Sequence, residues 1–176
     1  MALSAFVAGL AAAAAVAAGP GTAPAPAPGW ETIGHSEQGR PIRALLVGSP
    51  RARVKVLVVG LIHGNEQAGR AVVARLRHAR PPRGTALWLV DSANPDGMAA
   101  GTRWNAHGVD LNRNFPYRWQ PQDGVYESGP GPASEPETQV MQRFIEREHP
   151  RITIWYHQAL QIVVKSTGDA KLEKLY

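Results

Sequence analysis

The chain has 176 residues, of which 44% are hydrophobic, and this length and composition favour one globular domain over a fibrous or disordered protein. It contains no cysteine, which excludes disulfides, thiolate metal sites and cysteine nucleophiles. The net charge of +5 is compatible with a nucleic-acid, cell-envelope or acidic partner, but the arginines are scattered, which favours a solvated surface over a nucleic-acid-binding stripe.

The first 29 residues differ in composition from the rest of the chain. Residues 2–18 are rich in alanine and other apolar residues, and residues 19–28 alternate proline with alanine or glycine. The first run resembles the hydrophobic part of a signal peptide and the second a spacer, although no lysine or arginine precedes them. A membrane-spanning helix is disfavoured because the run is slightly shorter than about 20 residues. We therefore expect export to the periplasm or the extracellular space and a folded domain over residues 30–176, with a low-complexity tail and a cytoplasmic location as the alternative.

Two apolar segments near the start of this domain predict β-strands. Residues 42–47 follow a polar, glycine-interrupted stretch at residues 30–39, and residues 54–60 are rich in β-branched side chains. The short connection at residues 51–53 predicts that the two strands pair as a hairpin.

A helix and a third strand are predicted next. The helix begins near Gln67 and must end before Pro81. Its apolar positions recur about once per turn and are Ala68, Val72, Leu76 and Ala79. Residues 86–90 are almost wholly apolar, which predicts a strand covered on both faces.

A long loop is predicted over residues 94–132. Its first four residues, Asn-Pro-Asp-Gly, are a strong turn signal, and Asp96 and Gly97 are predicted to form the turn rather than to act in catalysis. The remainder has little periodicity but is dense in arginine, asparagine and aspartate. A loop of this length inside a compact domain is typically functional or disordered, and its polar residues favour a function.

A second helix is predicted after this loop. Ser134 is suited to cap it, Pro136 to occupy its first turn, and the glutamates on either side of Pro136 to favour its dipole. Its apolar face consists of Val140, Met141, Phe144 and Ile145. Pro150 ends it.

The last predicted elements follow Pro150. Residues 152–156 predict a fourth strand that ends at His157, residues 161–164 a possible fifth, and residues 167–176 the start of a helical pattern.

Two of the predicted strands end in residues that can bind a metal ion. His63 and Glu66 follow the strand at residues 54–60, and His157 follows the strand at residues 152–156. Open α/β sheets bind ligands at the carboxyl ends of their strands. Two histidines and one glutamate suit a catalytic zinc ion, which needs three protein ligands and one open position. The alternative is that these residues are structural turn residues, with Glu66 favouring the dipole of the following helix.

Five motifs occur in a characteristic order along the chain: His63-x-x-Glu66, Asn-Pro-Asp-Gly at 94–97, Gly-Val-Asp-Leu-Asn-Arg-Asn-Phe at 108–115, Ser-Glu-Pro-Glu at 134–137, and His157. Together they resemble the zinc carboxypeptidases of the carboxypeptidase A superfamily. With Gly-Thr-Arg-x-Asn at 101–105 they are most similar to the bacterial murein peptide amidases, which cleave the γ-D-glutamyl-diaminopimelate bond of cell-wall peptides. The resemblance covers residues 30–168 and implies an α/β fold with a mixed β-sheet flanked by helices.

The resemblance also implies roles for individual residues. It makes His63, Glu66 and His157 the ligands of one Zn²⁺, a site that polarises a carbonyl and lowers the pKa of water. His35 and His107, which lie in polar segments, are not expected to be ligands. The implied substrate is a short peptide with a free C-terminal carboxylate, derived from the cell wall.

Four further residues acquire roles in the same way. Arg103 matches the arginine that stabilises the oxyanion formed during hydrolysis. Asn112 and Arg113 match the pair that holds the terminal carboxylate, for which the planar guanidinium of arginine is suited. Asp110 is a candidate partner of a zinc-binding histidine, with a local role in a turn as the alternative.

One departure from the family pattern affects the expected activity. The catalytic glutamate of the family lies well after the third zinc ligand, whereas Glu173 is the only glutamate after His157 here and is predicted to be a surface residue. We therefore expect a chain that is truncated at its C-terminus and lacks part of its sheet. The alternatives are a non-catalytic module that binds zinc or a cell-wall peptide, an ordinary carboxypeptidase, an aspartoacylase-like amidohydrolase and a basic nucleic-acid binder. The oligomeric state is left open.

Overall fold

A mixed five-stranded β-sheet forms the centre of the protein in a computed structural model that describes residues 29–158. The strands and helices, in chain order, are β1 (Trp30–His35), β2 (Pro41–Gly48), β3 (Val54–Val59), α1 (Ala68–Leu76), β4 (Thr85–Val90), α2 (Pro95–Ala100), α3 (Leu111–Asn114), a 3₁₀ helix (Gly124–Tyr126), α4 (Pro136–Glu148) and β5 (Ile152–Trp155). This architecture confirms the predicted α/β class, a mixed sheet flanked by helices. The segments predicted at residues 1–28, 161–164 and 167–176 lie outside the described residues.

The strand order is β1-β2-β4-β3-β5. Strand β2 is antiparallel to both of its neighbours, β1 and β4, whereas β3 is parallel to both of its neighbours, β4 and β5. The predicted hairpin of residues 42–47 with residues 54–60 is therefore wrong. The reason is that β4, whose residues are mostly buried and apolar, lies between these two strands and pairs with both. The connection at residues 51–53 therefore passes the end of β4.

Strand β1 was not predicted from the sequence. Its residues alternate poorly because it is the edge strand, with a register irregularity between Thr32 and Gly34. Gly34 lies so close to helix α4 that a Cβ atom there would overlap the side chain of Val140. Edge strands and bulges of this kind carry little of the apolar periodicity by which strands are recognised.

The core lies on both faces of the sheet. On one face Leu57, Val59, Trp88 and Val90 pack against the predicted apolar face of α4, in which Val140, Met141 and Phe144 are buried. On the other face Val58 and Leu89 pack against Val73 of α1. Because successive residues of a strand point to opposite faces and both faces are covered, β3 and β4 are apolar apart from Lys55 and Thr85, in agreement with the strand predicted at residues 86–90.

Three local predictions need correction. Helix α1 ends at Leu76, before Pro81 as predicted, but its buried residues are Gly69 and Val73; of the predicted row, Ala68 is exposed and Ala79 lies beyond the helix. Residues 94–97 do not form a simple turn: Asn94 Oδ1 accepts a hydrogen bond from the Gly97 amide at 2.9 Å and begins α2.

Helix α4 begins differently from the prediction as well. Its N-cap residue is Glu135, not Ser134, and Pro136 occupies the first turn as expected. The Ser134 hydroxyl instead donates a hydrogen bond to Glu135 Oε1 at 2.7 Å. Within residues 29–158, no helix is long and apolar enough to cross a lipid bilayer.

Candidate metal centre

The three proposed ligands meet at the carboxyl ends of two neighbouring parallel strands. Strand β3 pairs with β5 up to the Val59–Trp155 pair, and the Tyr156 amide donates to the Val59 carbonyl at 3.0 Å. His63 follows the end of β3, and His157 follows the end of β5. The fold therefore brings together residues that are 94 positions apart in the sequence.

The ligand atoms of His63, Glu66 and His157 lie within 4.8 Å of one another. The two Nδ1 atoms of the histidines are 3.2 Å apart, His63 Nδ1 is 3.0 Å from Glu66 Oε1, and His157 Nδ1 is 3.0 Å from Glu66 Oε2. Ligand atoms of a tetrahedral zinc ion at 2.0–2.1 Å lie about 3.3 Å from one another, so these three separations fit a single small cation. The donor set of two imidazoles and one carboxylate also suits zinc.

Burial and backbone contacts hold this cluster in place. His63 is 2% exposed, whereas Glu66 and His157 are partly exposed, so one side of the cluster is accessible. Burial by itself would raise the pKa of the Glu66 carboxyl, but the charge of His63 and hydrogen bonds from the Gln158 amide and His157 lower it below its ordinary value. Glu66 is therefore ionised at neutral pH, as a metal ligand must be.

Gly64 is required by the close approach of two backbone segments beside the cluster. A Cβ atom at this position would overlap the backbone of Gly97 and Met98 in α2. Replacing Gly64 by alanine is expected to reduce the free energy of unfolding by about 1–3 kcal/mol or more, because backbone atoms have to move. Chemical denaturation measures this, with Gly131→Ala as the control, since no atom lies within 4 Å of a Cβ there. Equal stabilities of the two variants would contradict the prediction.

Asp110 connects the cluster to the long loop. It is fully buried, and its Oδ1 lies 3.0 Å from His63 Nε2 and accepts a hydrogen bond from the Asn112 amide at 2.9 Å, which also caps α3. When Nε2–H of His63 donates to this carboxylate, Nδ1 is left with its lone pair directed at Glu66 and His157. The structure thus combines the two roles considered for Asp110, as a partner of His63 and as a local cap.

Arg103 is bound to the other oxygen of the same carboxylate. Its Nε and Nη2 donate to Asp110 Oδ2 at 3.0 and 2.7 Å, and its Nη1 lies 3.5 Å from Glu66 Oε1. Burial would raise the pKa of the Asp110 carboxyl, but the hydrogen bonds and charges of His63 and Arg103 lower it below its ordinary value. Arg103 is therefore held beside the cluster by a fixed negative charge.

Asn112 and Arg113 lie on α3, on the accessible side of the loop. Arg113 makes no ion pair within residues 29–158, and its Nη1 donates only a long hydrogen bond of 3.5 Å to the Asn112 carbonyl. The Asn112 side chain is exposed. Both side chains are therefore accessible to an anionic ligand, and the carboxylate-binding role that the resemblance implies stays a prediction.

Buried polar residues fasten the long loop to helix α4. Asn105 Nδ2 donates to Glu135 Oε2 at 2.8 Å and to Glu137 Oε2 at 3.1 Å, and Asn114 Nδ2 donates to the Ser134 hydroxyl at 2.9 Å. The sequence analysis assigned the two glutamates to the helix dipole, but both are at most 2% exposed and act in this network. The available signal was that Asn105 and the two glutamates belong to two of the motifs named above, at residues 101–105 and 134–137.

Asp96 has a structural role, as predicted, although in a different setting. It is buried at the start of α2 and accepts hydrogen bonds from the Ser36 hydroxyl at 2.7 Å, the Gln38 amide at 2.9 Å and Arg40 Nη1 at 2.7 Å. It therefore fixes the connection between β1 and β2 to the loop. His35 and His107 lie outside the cluster.

His107 bridges two carboxylates at the edge of this network. Its Nδ1 lies 2.7 Å from Glu135 Oε2 and its Nε2 lies 3.2 Å from Glu37 Oε1. The hydrogen bond with Glu135, opposed by slight burial and aided by the charges of both glutamates, raises the pKa of His107 above its ordinary value of 6.5. Hydrogen bonds from Asn105, Ser134 and His107 outweigh the burial of Glu135 and lower the pKa of that carboxyl.

A pH-dependent stability follows from this bridge. Because the pKa of folded His107 is raised, its contribution is complete below the unfolded value and is lost as the pH rises through the folded value. His107→Gln is expected to lower the free energy of unfolding by up to about 1 kcal/mol near about pH 6, and by less near about pH 9, because the histidine is half exposed. Urea denaturation at both pH values measures this. A difference between the proteins that grows with pH would contradict it.

Comparison with known proteins agrees with this arrangement. A family model of zinc carboxypeptidases (peptidase family M14) matches residues 29–175. Murein peptide amidase A of Escherichia coli K12 is 34% identical over 150 residues, covering 77% of this chain and 61% of the relative, and the protein of that name from Vibrio campbellii is 31% identical over 121 residues, covering 61% and 49%.

Solved structures give the same result. The murein-tripeptide amidase of Escherichia coli O157 has a TM-score of 0.66 at 32% identity, covering 77% of this chain and 63% of the other. The carboxypeptidase A of Helicoverpa armigera has a TM-score of 0.62 at 23% identity, covering 73% and 40%, and shows the shared fold alone. The chain thus spans about three-fifths of the length of the murein peptide amidase that it matches.

Proposed function

This chain belongs to the zinc carboxypeptidase family, and from that premise we propose that it acts as a zinc-dependent hydrolase of the amide bond before the C-terminal residue of a short peptide. The observation that carries the proposal is the convergence of His63, Glu66 and His157, with separations of 3.0–3.2 Å that fit one zinc ion. Zinc in such a site polarises a carbonyl group and lowers the pKa of a water molecule.

Two arginines of the long loop would bind the terminal carboxylate and the scissile carbonyl of the substrate. Arg113 has no acidic partner among residues 29–158 and would hold the terminal carboxylate through two parallel hydrogen bonds, with Asn112 beside it. Arg103 is oriented by Asp110 through Nε and Nη2, so its Nη1 remains to donate to the oxygen that gains charge when the amide is attacked.

For the substrate we propose a murein-derived peptide that ends in a γ-D-glutamyl-diaminopimelate bond. The support is the 34% identity to a murein peptide amidase and the cation at Arg113, which has no ion pair among residues 29–158 and suits a peptide with a free carboxylate. We also propose that the protein is exported, because residues 2–18 are apolar. The test is to fuse residues 1–29 to a phosphatase and to measure phosphatase activity outside the cytoplasm.

The proposal is tested with the purified 176-residue chain, and bound zinc and bound peptide are measured beside hydrolysis, because the sequence analysis found no glutamate in the place of the family's catalytic base. Alanyl-γ-D-glutamyl-diaminopimelate is incubated with the zinc-loaded protein, with the chelated protein and with His157→Ala, and free diaminopimelate is measured. Release by the zinc-loaded protein alone supports the proposal. Equal release from an α-glutamyl isomer would contradict the murein specificity.

The same experiment separates hydrolysis from binding alone. One equivalent of retained zinc with bound tripeptide but no release would replace the proposed hydrolase by a zinc-dependent peptide-binding protein. If the chain binds neither zinc nor the tripeptide, the proposal is contradicted altogether.

A further inference from the structure

Tyr126 lies over the guanidinium groups of both arginines of the site. The Cζ atom of Arg103 is 5.6 Å from the centre of the Tyr126 ring and that of Arg113 is 5.0 Å from it. Both distances are within the range of about 6 Å in which a cation is attracted to the face of an aromatic ring. No motif of the sequence singles out this tyrosine, because it lies in the irregular part of the loop.

The backbone around Tyr126 is fixed to the segment that carries Arg103 and Asp110. Trp104 Nε1 donates to the Val125 carbonyl at 3.1 Å, and the Asp110 amide donates to the Glu127 carbonyl at 2.7 Å. Hydrogen bonds therefore hold the residues on both sides of Tyr126. Tyr126 is 47% exposed, and within residues 29–158 its hydroxyl makes no hydrogen bond.

An exposed aromatic residue held in this way does little for the core. Tyr126 instead contacts two long arginine side chains. Without the ring these side chains would sample many rotamers and would lose more conformational entropy when they bind a ligand. Of the two, Arg103 has Asp110 as a further anchor, whereas Arg113 has no ion pair in the described part of the chain, so the ring is its main restraint. Restricting a binding group before the ligand arrives increases affinity.

We propose that Tyr126 is a positioning residue that holds the guanidinium groups of Arg113 and Arg103 in place to receive a peptide with a terminal carboxylate. This inference rests on the proposed function, because it assigns the two arginines to the carboxylate and to the scissile carbonyl. The aromatic ring carries the effect, and the hydroxyl does not.

The test compares three variants of the zinc-loaded chain by calorimetric titration. The ligands are two analogues of alanyl-γ-D-glutamyl-diaminopimelate in which a methyleneamine link replaces the scissile amide so that they are not hydrolysed, one with a free terminal carboxylate (the free tripeptide) and one with that carboxylate amidated (the amide). Tyr126→Leu is expected to weaken binding of the free tripeptide about 5- to 30-fold, from the loss of two cation–π contacts, and to weaken binding of the amide much less. Tyr126→Phe keeps the ring and is expected to bind like the unmodified protein.

Tyr117→Leu is the matched control. Tyr117 is also exposed, at 70%, and also lies over an arginine, Arg118 at 5.3 Å, but that arginine has no assigned role in the site. This variant is expected to bind both peptides normally. Zinc content and thermal unfolding are measured for every variant, so that a general loss of structure is recognised.

The outcomes separate this inference from the proposed function. If the unmodified protein binds neither peptide, the proposed function is wrong and the inference is wrong with it. If the unmodified protein prefers the free carboxylate and Tyr126→Leu retains that preference undiminished, the role of Tyr126 alone is refuted. A loss in Tyr126→Phe equal to that in Tyr126→Leu would refute the assignment to the ring.

Discussion

Replacing Asp110 by alanine is expected to lower the free energy of unfolding by about 3–5 kcal/mol and to weaken zinc binding about 10- to 100-fold. The stability effect arises because Arg103 and the Asn112 amide lose a fully buried partner. The effect on zinc arises because Asp110 orients the His63 ring through Nε2. Chemical denaturation of the metal-free chain and competition with a zinc chelator measure the two effects separately.

Asparagine at the same position separates the two contacts. Its Oδ1 can still accept from His63 and from the Asn112 amide, but its Nδ2 group faces donors of Arg103 in place of the Oδ2 acceptor. Asp110→Asn is therefore expected to retain more zinc affinity than Asp110→Ala while binding the tripeptide poorly. Asp123→Ala, an exposed aspartate of the same loop without a side-chain cap, is the control. Unchanged stability in Asp110→Ala would refute this account.

Replacing His157 by alanine is expected to weaken zinc binding more than about 100-fold, beyond the range for residues that only orient a ligand. The cluster would keep His63 and Glu66, but two ligands leave the ion mostly coordinated by water. Zinc content after dialysis and chelator competition measure the loss. Zinc at about 100 times its Kd should stabilise the unmodified chain by about 2.7 kcal/mol and the variant by far less at the same concentration.

His78→Ala provides the matched histidine control. His78 is exposed after α1, where its ring accepts a hydrogen bond from Arg77 at 2.8 Å, and it lies outside the cluster. The His78→Ala variant should bind zinc as tightly as the unmodified chain. Retention of a full equivalent of zinc by both histidine variants would show that the ion binds elsewhere.

The long loop shows most clearly where sequence reasoning was sufficient and where it was not. The roles of Arg103 and Arg113 were inferred from motifs and stay predictions; the structure places Arg103 beside Glu66 and both arginines against the ring of Tyr126. The network of Asn105 with Glu135 and Glu137 was missed, because it joins residues about 30 positions apart through hydrogen bonds with no periodic pattern. The Asn94 cap of α2 was mistaken for a turn, since both use asparagine followed by proline.

The sequence by itself determined the residue types of the candidate site and the class of the fold. His63, Glu66 and His157 were candidates because they follow apolar strands, and parallel strands bring their carboxyl ends to one edge of a sheet; the order of the family motifs then assigned them to zinc. Tertiary structure alone decided that β4 separates β2 from β3, that Asp110 joins His63 to Arg103, and that Tyr126 lies over both arginines. Those outcomes depend on how an aperiodic loop packs and hydrogen-bonds, and local propensities do not encode such contacts.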